Sequence, residues 1–461
     1  AENRTFYNDE RLPSLPVPTV EQTIEKYLDS CRAILSDEEY SKTYEICQKF
    51  KKQDAPKLQE KLLERSKSHK NWLEQWWLEN AYLEGRTPLP VGNFSGPGTY
   101  VENYWPLKEG TQLERAALGL YILLQFWQLV RKEMIAVHTL ADGTKLTMHQ
   151  FRYLFNTCRV PHRDKDELSH SFKTEAEGSS PTHIVVLCRG YFFKIISADP
   201  VTGDICSPAQ LFAMFKDIRD ICHRRKEKGI PVASLTAMDR DSWADARDHL
   251  IEISSKNEEI LKAIETSLII TTLDDTSPGD YTELTYEGMC GDPGQRWYDK
   301  SYNSSTMTNG SNLCLCDHTP FDAMVMVALY DKPEELVFQL DDSSMKSINE
   351  ATKFCNGIKE NLELLQIVFE KFGKSALKKY KVHPDFFVQI CLQLAYMMTH
   401  GKPGSTYETA TTRQFYHGRT ETCRSCTPEA VEFCRAMMSN TRSKDLKNLF
   451  FKAHHKFVSL M

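Results

Sequence analysis

The residues CLCDHTPFDAMVM, 314–326, join an apolar, strand-like run to an apolar run of helical character, and His318 stands at the junction. A histidine held between two rigid elements is placed to take a proton from a reacting hydroxyl or thiol, so His318 is the candidate general base. Thr319 can cap the following helix, Pro320 suits its first position, and Asp322 falls at the third, where a capping box usually has Glu. The positive end of that helix would disfavour imidazolium and keep the ring neutral, as a base at pH 7 requires. The competing reading is a histidine that merely ends a strand.

A second constellation is KFGKSALKKYK, 371–381, which carries Lys371, Lys374, Lys378, Lys379 and Lys381 and is followed by Asp385. Lys374 and Lys378 are four apart, so on a helix they face the same way and can grip a multiply charged phosphate group. The alternative is a solvated helix end. The chain has no Walker or Rossmann glycine fingerprint, so a nucleotide would be held by lysines instead of a phosphate loop. TYETATTRQFYHGRTETCRSCT, 406–427, interleaves hydroxyls with Arg413, Arg419 and Arg424. Such groups fix a small polar substrate by directed hydrogen bonds, or serve turns and caps. Cys314, Cys316 and His318 alternate and, with Cys423 and Cys426, offer zinc ligands. The spacing is that of no known finger and the cysteines of 314–316 suit an apolar strand, so no metal is expected.

These groups need elements to carry them. LPSLPVP, 12–18, reads as an extended strap ahead of a helix bearing Val20, Ile24, Tyr27 and Leu28 at helical spacing. NWLEQWWLENAYL, 71–83, places Leu73, Trp76, Trp77, Leu78 and Tyr82 on a broad helical face, with the tryptophans expected to pack. Long helices are expected over 111–134, 203–221 and 341–371, and one from 384 opened by Pro384. THIVVLCRGYFFKI, 182–195, reads as two strands joined across Arg189-Gly190, and ASLTAMDRDSWADARDHL as a return to helix through Thr236 and Asp239. Helix and sheet signals interleave from about 60 to 330, the pattern of a mixed α/β domain with helices outside. A boundary is expected near 335, at the DKPEE turn, separating a strap-and-helix segment 1–60 and a first domain 61–335 from a second domain 336–461.

The 461 residues suffice for two cores, and 41% apolar with 26% charged is ordinary globular composition. Lys and Arg number 57 against 63 Asp and Glu, a net of −6 with the signs mixed, which gives no electrostatic case for nucleic acid. Fourteen scattered cysteines without a cleavable leader favour a reducing compartment, and no apolar run is long enough to span a membrane.

Taken in order, LPSLPVPTVEQTIEKYL, RWYDKSYN, CDHTPFD, FGKSALKK, HPDFFVQICLQLAY and TYETATTRQFYHGRTETCRS resemble the successive motifs of the choline/carnitine acyltransferases, over essentially the whole chain. The resemblance implies an α/β fold of two similar mixed-sheet domains, covered by helices, around a central tunnel. It implies His318 as the catalytic base for direct acyl transfer between oxygen and sulfur, with no covalent enzyme intermediate. Coenzyme A or acyl-CoA would be a substrate, with no tightly bound cofactor: Lys374 and Lys378 would meet its phosphates and Asp385 its pantetheine or adenine end. Tyr407 and Thr420 would hold the carnitine carboxylate. Thr420, in Gly418-Arg419-Thr420-Glu421-Thr422, points to carnitine over choline, since choline enzymes tend to read Gly-Arg-Val-Asp-Asn there. CDHTPFDA resembles the peroxisomal, medium-chain octanoyl-transferring branch. The expected form is monomeric when full length.

Two departures qualify these expectations. Family members continue well beyond a segment like FKAHHKF, 451–457, into a Ser-Thr-Ser motif that stabilises the oxyanion and an arginine for carnitine, whereas the sequence ends at Met461. Losing an oxyanion donor typically costs about 2.7 to 4 kcal/mol of transition-state stabilisation. The second domain is therefore expected to be incomplete, exposing Phe386, Ile390 and Leu394. Between Tyr330 and Lys332 the family usually has a longer connection. An inactive acyl-CoA-binding or regulatory isoform and a choline acetyltransferase are the alternative readings. The last residues, Val458-Ser459-Leu460-Met461, are not a Ser-Lys-Leu-like peroxisomal address.

Overall fold

The computed structural model describes residues 4–90, 92–98, 110–200, 202–322, 333–365, 367, 369–439 and 442–460. The chain forms two compact units, Ala1–Glu10 with Glu74–Gln366, and Arg11–Leu73 with Ile367–Met461. The connection between Tyr330 and Lys332 and most of the helix expected after His318 lie outside the described residues.

In the first unit the strands are β1 (Phe94–Pro97), β2 (Thr157–Val160), β3 (Glu167–His170), β4 (His183–Cys188), β5 (Tyr191–Ile196), β6 (Ile270–Leu273), β7 (Asn303–Thr306), β8 (Asn312–Cys316) and β9 (Pro333–Leu336). Seven of them form one mixed sheet in the order β1-β8-β7-β6-β4-β5-β9, while β2 and β3 pair as a separate ribbon. β4, β6 and β7 run parallel and the remaining neighbours antiparallel.

Strand β4 explains the layers. Ile184, Val186 and Cys188 enter a core with the helices Gln112–Arg131 and Pro208–Arg224, while Val185 and Leu187 enter another with Arg240–Ile253, Ser255–Thr266 and Asp342–Asn361. A strand covered on both faces must be apolar throughout, which is why HIVVLC lacks alternation. The β4–β5 turn falls at Arg189-Gly190 as expected, both residues being left-handed at φ 51° and 80°. Gly190 is also required sterically, because a Cβ there would stand 2.7 Å from the carbonyl oxygen of Gly229.

Residues 71–83 do not form one helix. An α-turn, Glu74–Leu78, passes into a π-turn, Glu79–Leu83, which rotates Tyr82 off the regular face. The helix expected over 341–371 stops at Asn361. It packs by Ile348 and Ala351 into the first unit's core, so the break between compact units falls after Gln366, beyond the DKPEE turn.

In the second unit the strap over 12–18 is tied down by backbone groups: Leu15 donates to Lys70 O, the indole of Trp72 to Pro16 O, and Tyr416 to Pro13 O. Its core gathers Phe386, Ile390 and Met397 of the helix Pro384–His400 with Val431, Phe433, Cys434, Ala453 and Phe457 of the helices Pro428–Met437 and Ser443–Leu460. Phe386 and Ile390 are thus buried and Leu394 partly so, contrary to the expectation that they would be exposed. The helix's opposite face, with Val388 and Leu392 each 54% exposed, is the one left in solvent. The sheet described here is a two-stranded ribbon, β10 (Glu408–Thr411) with β11 (Thr420–Cys423).

Candidate active site

β8 ends at Cys316, and His318 sits on the turn that follows. The turn is pinned from behind. Asp317 is buried, and its Oδ1 accepts from both the amide (3.1 Å) and the hydroxyl (2.8 Å) of Thr319. Burial pushes the Asp317 carboxyl up, and Arg159 with the Thr319 bonds pulls against it.

Arg159, 3% exposed on β2, joins this turn to the rest of the site. It donates to Thr319 Oγ1 (3.1 Å), to the carbonyls of Tyr82 (2.6 Å) and Gly85 (3.2 Å), and to Asp166 Oδ2 (2.6 Å). Asp166 also receives Arg86 (2.5 Å) and Arg240 (2.6 Å), and Arg240 passes on to Asp299 (2.6 Å), which holds the Trp243 indole (2.6 Å). Burial raises the Asp166 carboxyl, but the three arginines outweigh it and hold the group below its usual range; Asp299, buried with fewer cationic partners, is pushed up to about 6.

The front of the histidine is aromatic. Its ring centroid lies 5.8 Å from that of Tyr82 and 5.3 Å, edge on, from that of Phe94, with Trp77 against Tyr82 at 6.3 Å. His318 Nδ1 is 3.2 Å from the carbonyl oxygen of Phe321 and 3.6 Å from Asp322 Oδ1. A carbonyl only accepts, so Nδ1 carries the proton in the neutral ring and Nε2 holds the lone pair, the arrangement of a general base. Asp322 does not complete the expected capping box in the described residues: its amide donates to Gln150 Oε1 (2.8 Å), and Gln150 Nε2 donates to its Oδ2 (3.0 Å).

The other candidates belong to the second unit. Lys374 and Lys378 are exposed on the six-residue helix Lys374–Lys379, and Asp385 is exposed in the first turn of the next helix, 3.7 Å from His383 Nδ1. The ribbon register pairs Thr411 with Thr420 and Thr409 with Thr422, so four threonines share one face while Ala410 and Cys423 turn to the core. Tyr407, 59% exposed, precedes β10 in the same alternation as Thr409 and Thr411. Tyr407 and Thr420 are four positions apart along the ribbon, so a single carboxylate meeting both needs the tyrosine ring to lie along it. Sequence reasoning missed Tyr82, Phe94, Arg159 and Gln150 as neighbours of the base; an arginine in the apolar stretch FNTCRVP, 155–161, was the available sign.

The family profile described as Choline/Carnitine o-acyltransferase matches residues 15–461. The chain belongs to the choline/carnitine O-acyltransferases. Among members of that family, the human peroxisomal carnitine O-octanoyltransferase is 43% identical over 99% of this chain and 79% of its own length. The pig carnitine O-palmitoyltransferase 1, muscle isoform, is 32% identical over 97% and 61%, and the Columba livia carnitine O-acetyltransferase 30% over 98% and 76%. Among described residues, no helix of this acyltransferase is long and apolar enough to cross a membrane.

Proposed function

We propose that the protein transfers a medium-chain acyl group reversibly between coenzyme A and carnitine, with His318 as the general base. The observation that carries the reading is the His318 ring, its Nδ1 turned to the Phe321 carbonyl and the Asp322 carboxylate, in a chain 43% identical to a carnitine octanoyltransferase. Nε2 takes the proton of the carnitine hydroxyl as its oxygen attacks the thioester carbonyl; the carbon–sulfur bond breaks and the departing thiolate takes the proton back from the ring. The reverse reaction begins with the thiol proton. The octanoyl preference is supported by identity that falls from 43% for the octanoyl enzyme to 32% and 30% for the palmitoyl and acetyl enzymes.

In this reading Lys374 and Lys378 meet the coenzyme A phosphates, Asp385 its pantetheine or adenine end, and Tyr407 and Thr420 the carnitine carboxylate. Coenzyme A is a substrate and no cofactor is held tightly; the protein is monomeric and peroxisomal, the compartment named for its octanoyl-transferring relatives. A thiol-release assay with octanoyl-CoA and L-carnitine tests the reaction. His318→Ala should lose at least about 100-fold in kcat, and equal rates for the two forms would remove His318 from the chemistry.

A further inference from the structure

We infer that Gln150 is a positioning residue for this reaction, its carboxamide holding the Asp322 carboxylate at the orientation from which it faces the His318 ring. The inference rests on His318 being the base.

Asp322 Oδ1 lies 3.6 Å from His318 Nδ1, outside hydrogen-bond range, so nothing in that contact alone fixes the carboxylate's rotation. Carboxylate torsions are broad, and an unheld group would spend much of its time turned away. Gln150 removes that freedom with two bonds to one residue, accepting from the Asp322 amide (2.8 Å) and donating to Asp322 Oδ2 (3.0 Å). The amide's orientation is unambiguous, because an N–H requires the oxygen and a carboxylate requires the NH2. The support is itself rigid: Gln150 is 7% exposed, on the 3-10 turn His149–Tyr153, whose Phe151 is 2% exposed in the main core.

Glutamine also suits the task by its lack of charge. It satisfies one oxygen of Asp322 without neutralising it, so the field of the carboxylate remains directed at the ring when imidazolium forms. Asp322 and Tyr82 are the titratable groups that face His318 among the described residues, with Asp317 and Arg159 behind the turn. His149 and Arg152 flank Gln150 on its own turn, and Glu74 approaches His149 at 3.8 Å.

The test uses Gln150→Met, which keeps volume and removes both bonds, and Gln150→Glu, which keeps the acceptor and sets a second anion beside Asp322. Two readouts are taken on the whole chain: kcat and KM for octanoyl transfer against pH, and the His318 titration followed by NMR of ring-labelled histidine, assigned with His318→Ala. Gln150→Met should lower kcat about 10- to 100-fold, leave KM within about twofold and lower the His318 pKa. Gln150→Glu should move the acidic limb of kcat/KM and the ring titration upward, since added negative charge favours imidazolium. Unchanged titration of His318 in both variants overturns the inference, as does a loss of kcat that only parallels a loss of melting temperature. The NMR readout separates this from the parent reading: absence of transfer by the wild-type chain would sink the proposed reaction, while the titration would still decide the role of Gln150.

Discussion

His318 stands on a turn whose Asp317 and Thr319 are buried and hydrogen-bonded to each other, with Thr319 also accepting from Arg159, whereas Lys374, Lys378, Asp385 and Tyr407 of the second unit are exposed on short elements or at their ends. The difference follows the demands of the two tasks. A proton acceptor must hold its place within a fraction of an ångström, and buried charge networks fix geometry because each broken bond leaves a desolvated partner. Groups that capture phosphates or a small carboxylate can remain solvated until the ligand orders them, at the expense of side-chain entropy on binding.

The sharpest way to break this contrast is to remove one charge from each unit. Asp166→Ala would leave Arg86, Arg159 and Arg240 without their shared carboxylate in the interior, and loss of one partner from a buried pair typically destabilises by about 3 to 5 kcal/mol. Lys26→Ala in the second unit breaks a pair with Glu421 in which both side chains are more than half exposed, an interaction typically worth less than about 1 kcal/mol. Urea unfolding followed by tryptophan fluorescence measures both. Similar losses for the two variants would show that the networks do not differ in kind.

A smaller effect, on binding and not on folding, is expected from the lysine pair. Replacing Lys374 and Lys378 together with Ala should weaken coenzyme A about 10- to 100-fold at low salt and flatten its salt dependence, with the melting temperature unchanged. Dephospho-coenzyme A should lose less. Calorimetry that finds equal affinity for wild type and the double variant would return both residues to a solvated helix end.

The same contrast governs what could be read from the sequence. The β4–β5 hairpin, the strap and the helices opened by Asp239 and Pro384 were legible because their signals are local: a left-handed Arg-Gly turn, closely spaced prolines, a capping aspartate, a proline in the first turn. His318 was legible by its place at a strand end. Its surroundings were not, since Arg159 and Gln150 lie more than 150 residues from the partners Thr319 and Asp322, and no periodicity links them. Tyr82 was misplaced because the π-turn at Glu79–Leu83 shifts the helical phase by a residue, a departure that propensity does not register. For Pro384–His400 the composition, apolar on nearly every side, concealed which face would be buried.

The smallest predicted effect concerns a partly exposed group of the first unit, Asp341, which should behave like the second unit's surface despite its location. Asp341 caps the helix Asp342–Asn361, its Oδ1 accepting from the amide and hydroxyl of Ser344 (2.8 Å each), while His249 Nε2 lies 2.8 Å from Oδ2. The Ser344 amide, then its hydroxyl and His249, hold the carboxyl down to about 2. A folded-state value below the unfolded one of about 3.9 means that the unfolded chain binds the proton more readily. The stabilisation is therefore complete above about pH 4 and is lost as pH falls toward 2. Asp341→Asn keeps the oxygen acceptor and removes the charge. Its melting temperature should sit slightly below wild type at pH 6, and the gap should narrow between about pH 4 and 2, as the unfolded wild-type chain takes up its proton first and the folded carboxylate follows. A gap that stays constant over that range would mean that the cap acts through shape alone and that its charge contributes nothing.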